Sequence, residues 1–212
     1  MQKYLAELIG AFFLTLTFVL TTTHTELTII APAATGLIFM AMIYAGGHIS
    51  GGQYNPVLTL AALLRGRLST NDAISYMLAQ TIGAVAAAAI GVYLHGSSGE
   101  AVIGLHGNND PIAALLAEFL GAFALAYVFL NVRTTQSNAE FGFYGQAIGW
   151  CTVACGYALG SVSGGVFNPS MGIGASFAGM YSFSDLWIYV LGALAGGGAA
   201  ATVFTVVYGR GE

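Results

Sequence analysis

The stretches SGGQYNP at residues 50–56 and SGGVFNP at 163–169 are near copies, and each drops glycines and an Asn–Pro pair into an otherwise apolar chain. Asn is a favoured helix N-cap, and Pro suits the first helical turn, where its missing N–H needs no partner. Each stretch therefore predicts an irregular glycine loop followed by a helix that starts at Pro56 or Pro169. The apolar runs that follow, about 56–64 and 169–179, are too short for a hydrocarbon core about 30 Å thick, which takes roughly 20 residues to cross.

The solvent around these breaks decides what they mean. Of the 212 residues, 57% are hydrophobic and 7% charged, against about 25% charged in a soluble domain. So few charges cannot cover a water-facing surface, and the lipid bilayer is the main solvent and partner. Six apolar runs reach spanning length, at about 4–23, 28–46, 72–94, 112–131, 144–161 and 185–207. The 30 glycines suit helices whose backbones approach closely. The expected fold class is an all-α membrane protein with six transmembrane helices and two re-entrant half-helices, forming a single membrane domain over residues 1–212.

The same composition narrows function. Five Lys and Arg in all exclude a nucleic-acid footprint, and the small net charge of −4 points to no particular partner. Cys151 and Cys155 share a helix face but have no His or third Cys nearby, so they read as packing residues and no metal site is expected. No nucleophile–base pair or phosphate loop stands out, which argues against an enzyme, and no cofactor is implied. The N-terminal run lacks a small-residue cleavage pattern and reads as a retained first span.

Orientation and duplication follow from positions alone. Lys3, Arg65, Arg67, Arg133 and Arg210 all fall on one side of the six spans, whereas His24, Glu26, His95, Glu100, His106 and Asp110 fall on the other. The positive-inside rule then places both termini in the cytoplasm, with the cell membrane as the expected location. LAELIGAFFL at 5–14 matches LAEFLGAFAL at 116–125, so the chain divides into repeats of about 1–108 and 109–212. Three spans per repeat is odd, so the halves enter the membrane with opposite orientation. Inverted repeats place their site near the midplane, at discontinuous helices.

Two half-helices entering from opposite faces bring their N-termini together at the centre. Each N-terminus carries roughly half a positive charge, and the pair opposes cations. Asn55 and Asn168 cap with their side-chain oxygens and are expected to keep their NH₂ groups free for a passing neutral molecule.

AGGHISGGQYNPVLTLA and SGGVFNPSMGIGAS resemble the two signatures of the aquaporin, or major intrinsic protein, family. The resemblance implies a homotetramer with one pore per subunit, passing water and small neutral solutes. It implies a pore constriction at Asn55, Pro56, Val57, Asn168, Pro169 and Ser170, with Val57 and Ser170 packing the half-helices together. Glu7, Glu118 and His48 are then expected to brace the re-entrant loops. Counting from the motifs, the selectivity filter falls on Thr35, Gly156, Gly165 and Met171; a slip of one would exchange Gly156 for Tyr157 or Cys155. Met171 stands where the family usually has Arg, and Gly172 where glycerol-conducting members usually have Asp. These residues predict a wide filter without Arg, passing solutes of the glycerol, urea, ammonia and hydrogen peroxide class, with cation exclusion left to the helix ends. The competing readings are a pore-closed structural protein of the same fold and a secondary transporter; the latter lacks the expected set of ionisable residues inside its spans.

Overall fold

The computed structural model describes residues 1–23, 27–95, 110–135 and 142–209. Arg210, His24, Glu26, Glu100, His106 and the side chain of His95, used above for orientation, lie outside the described residues. The helices are α1 (Gln2–Thr22), α2 (Ala31–Ser50), α3 (Pro56–Leu64), α4 (Thr70–His95), α5 (Pro111–Thr134), α6 (Tyr144–Ser163), α7 (Pro169–Phe177) and α8 (Ala193–Tyr208). Short 3₁₀ turns at Thr28–Ile30 and Phe183–Asp185 precede α2 and α8, and a π-helical stretch, Ile188–Gly192, leads directly into α8.

Among the described residues, five segments are long and apolar enough to cross a membrane: Gln2–Thr22, Thr28–Ser50, Thr70–Leu94, Pro111–Thr134 and Phe183–Tyr208. The sixth expected span, α6, is 20 residues long, but its sequence YGQAIGWCTVACGYALGSVS is diluted with glycine and polar residues. It holds its place by packing on α2 and α5. Outward faces are apolar too: Leu5, Ile9 and Phe13 on α1 and Ile112, Leu116 and Leu120 on α5 form exposed stripes at a four-residue spacing. Such faces suit lipid rather than water.

The halves are interlocked. α1 packs on α2 and α4, α5 packs on α6 and α8, and α2 crosses α6 at the seam. Half-helix α3 packs on α8 of the other half, and α7 reciprocally on α4. Glycine sets the seam distance: a Cβ added to Gly36 would lie 2.5 Å from the carbonyl oxygen of Gly149, and one on Gly149 would lie 2.7 Å from that of Gly36. Backbones in such direct contact leave no room for a side chain at the crossing.

Candidate functional site

The two re-entrant loops have matching backbones. Gly51, Gly52 and Tyr54 take φ of 99°, 67° and 52°, and Gly164, Gly165 and Phe167 take 96°, 68° and 48°. Left-handed backbone is free for glycine but costs an aromatic residue of order 1 kcal/mol. Each aromatic is held in place by its ring, which lies against a glycine of the first span in its own half. A Cβ on Gly10 would come within 2.2 Å of the Tyr54 ring, and one on Gly121 within 2.2 Å of the Phe167 ring.

A buried carboxylate gathers each loop. Glu7, fully buried on α1, accepts from Ser50 Oγ at 2.6 Å, Gln53 N at 3.0 Å, Tyr54 N at 2.6 Å and Gln80 Nε2 at 2.7 Å. Glu118 on α5 accepts from Ser163 Oγ at 2.7 Å, Val166 N at 3.0 Å and Phe167 N at 2.6 Å. Buried carboxylates persist only with such donors. Tyr76 and Tyr189 hydroxyls donate to the carbonyls of Ser50 and Ser163 at 2.8 and 2.9 Å. His48 lies on the exposed face of the last turn of α2, and no side-chain hydrogen bond joins it to the described residues. The contacts that hold that loop come instead from Glu7, Tyr76 and Arg133, whose Nη2 donates to the carbonyls of Gly47 and Gly51 at 3.3 and 3.4 Å.

The loops aim the half-helix N-termini at one another. Asn55 Oδ1 accepts from Val57 N at 2.9 Å, and Asn168 Oδ1 accepts from Ser170 N and Met171 N at 3.1 and 3.3 Å. The NH₂ groups are not free, contrary to the sequence expectation. Asn55 Nδ2 donates to the Phe167 carbonyl at 2.9 Å, and Asn168 Nδ2 donates to the Tyr54 carbonyl at 3.1 Å. Each left-handed aromatic turns its carbonyl toward the opposite Asn, so one N–H of each amide is used across the pseudo-symmetric centre and one remains. Val57 and Ser170, expected to pack the half-helices together, make further contacts as well. Val57 packs on α8, where a Cβ on Gly197 would meet its Cγ1 at 2.6 Å. Ser170 Oγ donates to Asn168 Oδ1 at 2.8 Å. Pro56 and Pro169 occupy the first positions of α3 and α7.

Side chains at the counted filter are buried. Met171 is 2% exposed and Thr35 4%, and Asn55 and Asn168 are 1% and 2% exposed. Gly165 and Gly164 retain partial exposure on one side and Gly51 on the other. The glycines open no hole, because a Cβ on Gly156 would lie 2.8 Å from Pro32 Cβ and one on Gly165 would lie 3.1 Å from Gly160 Cα. The Pro32 side chain and the Gly160 backbone occupy the space where those side chains would sit. Tyr157 is 53% exposed, on the outside of α6, and Cys155 packs against the core from a half-buried position. Thr35 Oγ1 has no hydrogen-bond partner.

Two features escaped the sequence reading. Gln80 on α4 is fully buried and ties Glu7 to Thr59 Oγ1 at 2.9 Å, which in turn donates to Gln53 Oε1 at 2.9 Å. A polar residue in mid-span was the available signal. Near the basic end of the bundle, a cavity of about 370 Å³ is lined by Gln53, Arg67, Leu68, Phe129, Arg133 and Thr134, among others. The first loop, the end of α3 with the segment after it, and the end of α5 form it together, and no local pattern announces that.

Comparison with known proteins agrees with this architecture. A family model described as Major intrinsic protein matches residues 1–204. The chain is 35% identical over 203 residues to a protein named glycerol uptake facilitator protein-like 6 from Lactiplantibacillus plantarum, covering 90% of this chain and 91% of that one. It is 33% identical over 186 residues to aquaporin Z of Brucella melitensis, covering 84% and 82%, and 31% identical over 222 residues to aquaporin NIP1-4 of Oryza sativa, covering 100% and 79%. Among solved structures, the aquaglyceroporin from Plasmodium falciparum superposes with a TM-score of 0.81 over 96% of this chain and 94% of that one, at 17% identity. With six long helices and two opposed half-helices among the described residues, and this match over nearly its whole length, the chain belongs to the major intrinsic protein family of membrane channels.

Proposed function

We propose that the protein is a passive channel for water and small uncharged solutes, with its constriction at Asn55 and Asn168. The observation that carries this is the reciprocal pair of bonds from Asn55 Nδ2 to the Phe167 carbonyl and from Asn168 Nδ2 to the Tyr54 carbonyl. They hold two helix N-termini at a single interior point, each with one amide N–H left to donate. Partial positive charge from both helices disfavours a cation there, and a neutral molecule with a lone pair is accepted. Glu7 and Glu118 brace the loops that present these amides.

Thr35, Gly156, Gly165 and Met171 form the filter level in this reading. Met171 has no fixed charge and a flexible stem, so its rotamer sets how large a solute follows water. The names of the relatives above, glycerol facilitator and aquaporin, support the same solute class. The subunit works in the cell membrane as a homotetramer with cytoplasmic termini and one pore per copy, built from inverted repeats of about 1–108 and 109–212.

Stopped-flow swelling of vesicles containing purified protein tests the proposal. Water flux above that of empty vesicles is expected, with weaker glycerol or urea flux. No flux of any of them favours the second reading, a closed member of the fold, to which the near-complete burial of Asn55, Asn168, Thr35 and Met171 lends weight.

A further inference from the structure

The two re-entrant loops match in backbone but not in what surrounds them. Arg67 and Met180 hold equivalent places after the half-helices, where each backbone N–H donates to an alanine carbonyl, Ala62 or Ala175, at 2.9 Å. Leu68 is then the counterpart of Tyr181, Gln53 of Val166 and Arg133 of Thr22. Tyr181 is buried over Gly164, where an added Cβ would lie 2.4 Å from its hydroxyl. Beside the first loop, the shorter Leu68 and Gly51 instead line a cavity of about 370 Å³, a size typical of small-molecule sites. Gln53 and Arg133 border that cavity where the other half carries Val and Thr. We propose that this cavity binds a small oxyanion, a carboxylate or a phosphate, through the Arg133 guanidinium and the Gln53 side-chain amide; the proposal does not depend on the channel reading.

Both groups are held in place with donors to spare. Gln53 is 5% exposed, and its Oε1 accepts from Thr59 Oγ1 at 2.9 Å. That bond fixes the amide and turns its NH₂ away from Thr59. Nε2 donates to none of the described residues, yet it is not sealed from solvent. It lies beside Gly51, where an added Cβ would be 3.4 Å from it. Arg133 is anchored by Nη2, which reaches the carbonyls of Gly47 and Gly51, and by the Tyr144 ring, whose centre is 4.4 Å from Cζ. Its Nε and Nη1 donate to no described residue. Unused guanidinium N–H groups match the paired oxygens of a carboxylate or phosphate, and the amide adds a neutral donor.

The remaining walls supply no rival. Ser50 Oγ donates to Glu7, and the hydroxyls of Thr134 and Thr135 donate to the carbonyls of Leu130 and Asn131. No described Asp or Glu lines the cavity. Glu7 lies behind the loop, fully buried, with four donors on its oxygens. Arg67 also borders the cavity, but its Nη2 donates to the Thr134 carbonyl at 3.0 Å, and the site does not require it.

The test titrates purified full-length protein in neutral detergent with inorganic phosphate and, separately, with succinate, against sodium chloride of equal ionic strength. Thermal midpoint and heat of binding are read. A saturable response to either oxyanion, absent in chloride, is expected. Arg133→Gln should weaken binding about tenfold. Gln53→Glu keeps an oxygen for Thr59 and sets a negative charge where the NH₂ stood, so binding should be lost. Arg67→Gln should change affinity by less than about threefold. No saturable response to phosphate or succinate overturns the proposal. So does wild-type affinity in either folded Arg133→Gln or folded Gln53→Glu, or a loss in Arg67→Gln that exceeds the loss in Arg133→Gln. If Arg133→Gln does not fold, Gln53→Glu decides: lost binding supports the site and retained binding overturns it. Vesicles of phosphatidylcholine with or without phosphatidylglycerol separate the sources of the oxyanion. Phosphate binding weakened by phosphatidylglycerol supports the site with a lipid headgroup as occupant, and equal binding supports a soluble one.

Discussion

Glu7 and Glu118 do the same job with unequal help, and the difference is Gln80. Glu7 accepts a fourth hydrogen bond from that side chain, whereas the equivalent place on α8 is held by Ala193. Glu118→Gln leaves its carbonyl oxygen for Ser163 and Val166 and turns an NH₂ against the Phe167 N–H. Leaving such buried donors unpaired costs about 1–3 kcal/mol, read as a lower thermal midpoint in detergent; an unchanged midpoint would show that the loop does not depend on the carboxylate. Asn168→Ala removes a cap worth ~0.5–2 kcal/mol together with the bond to Tyr54, and water flux should drop with stability. A stable Asn168→Ala protein with full water flux is the result that removes this residue from the pore.

At the scale of elements, the half-helices and the seam rest on different kinds of information. α3 was expected at 56–64 and runs Pro56–Leu64, because Asn cap and Pro start are local chemistry; α7 stops at Phe177, two residues before the expected end. The crossing of α2 and α6 is instead a matter of contact between distant glycines. Gly36→Ala pushes a methyl into the Gly149 carbonyl, and overpacking of this kind costs typically 1–3 kcal/mol. The expected readout is a lower midpoint or loss of monodisperse protein in detergent, and a variant as stable as wild type would show the seam to be compliant. The π-helical stretch Ile188–Gly192 has no counterpart in regular α4, and nothing in its residues IYVLG marked it beforehand. Its last residue, Gly192, packs closely on α5, where an added Cβ would lie 2.9 Å from the Leu115 carbonyl and 3.2 Å from Glu118 Cβ.

For the whole molecule, the position that an absent glycine side chain would take is set by what packs against it. Gly156 and Gly165 suggested width, but Pro32 and Gly160 close on them, and Met171 is enclosed in the central apolar cluster. Met171→Ala removes the flexible stem at this level, so glycerol and urea flux should rise relative to water flux in the swelling assay. An unchanged ratio would place the size limit elsewhere. The four described basic residues do gather at one end, where Lys3 pairs with Asp72 and Arg67 reaches Thr134, as their order along the chain requires.

By itself the sequence determined the lipid solvent, the duplication and the starts of both half-helices. Each depends on composition or on spacing within a few residues, where the physics is local. Only the tertiary structure decided what the Asn amides donate to, whether a glycine opens a hole or admits a neighbour, and which arginine faces the loop. Those answers depend on atoms from the other half of the chain, such as the Phe167 carbonyl at Asn55 and Arg133 at Gly51. Close packing fills vacated volume with whatever atoms are nearest, such as Pro32 at Gly156 from across the seam or Gly160 at Gly165 from the preceding helix.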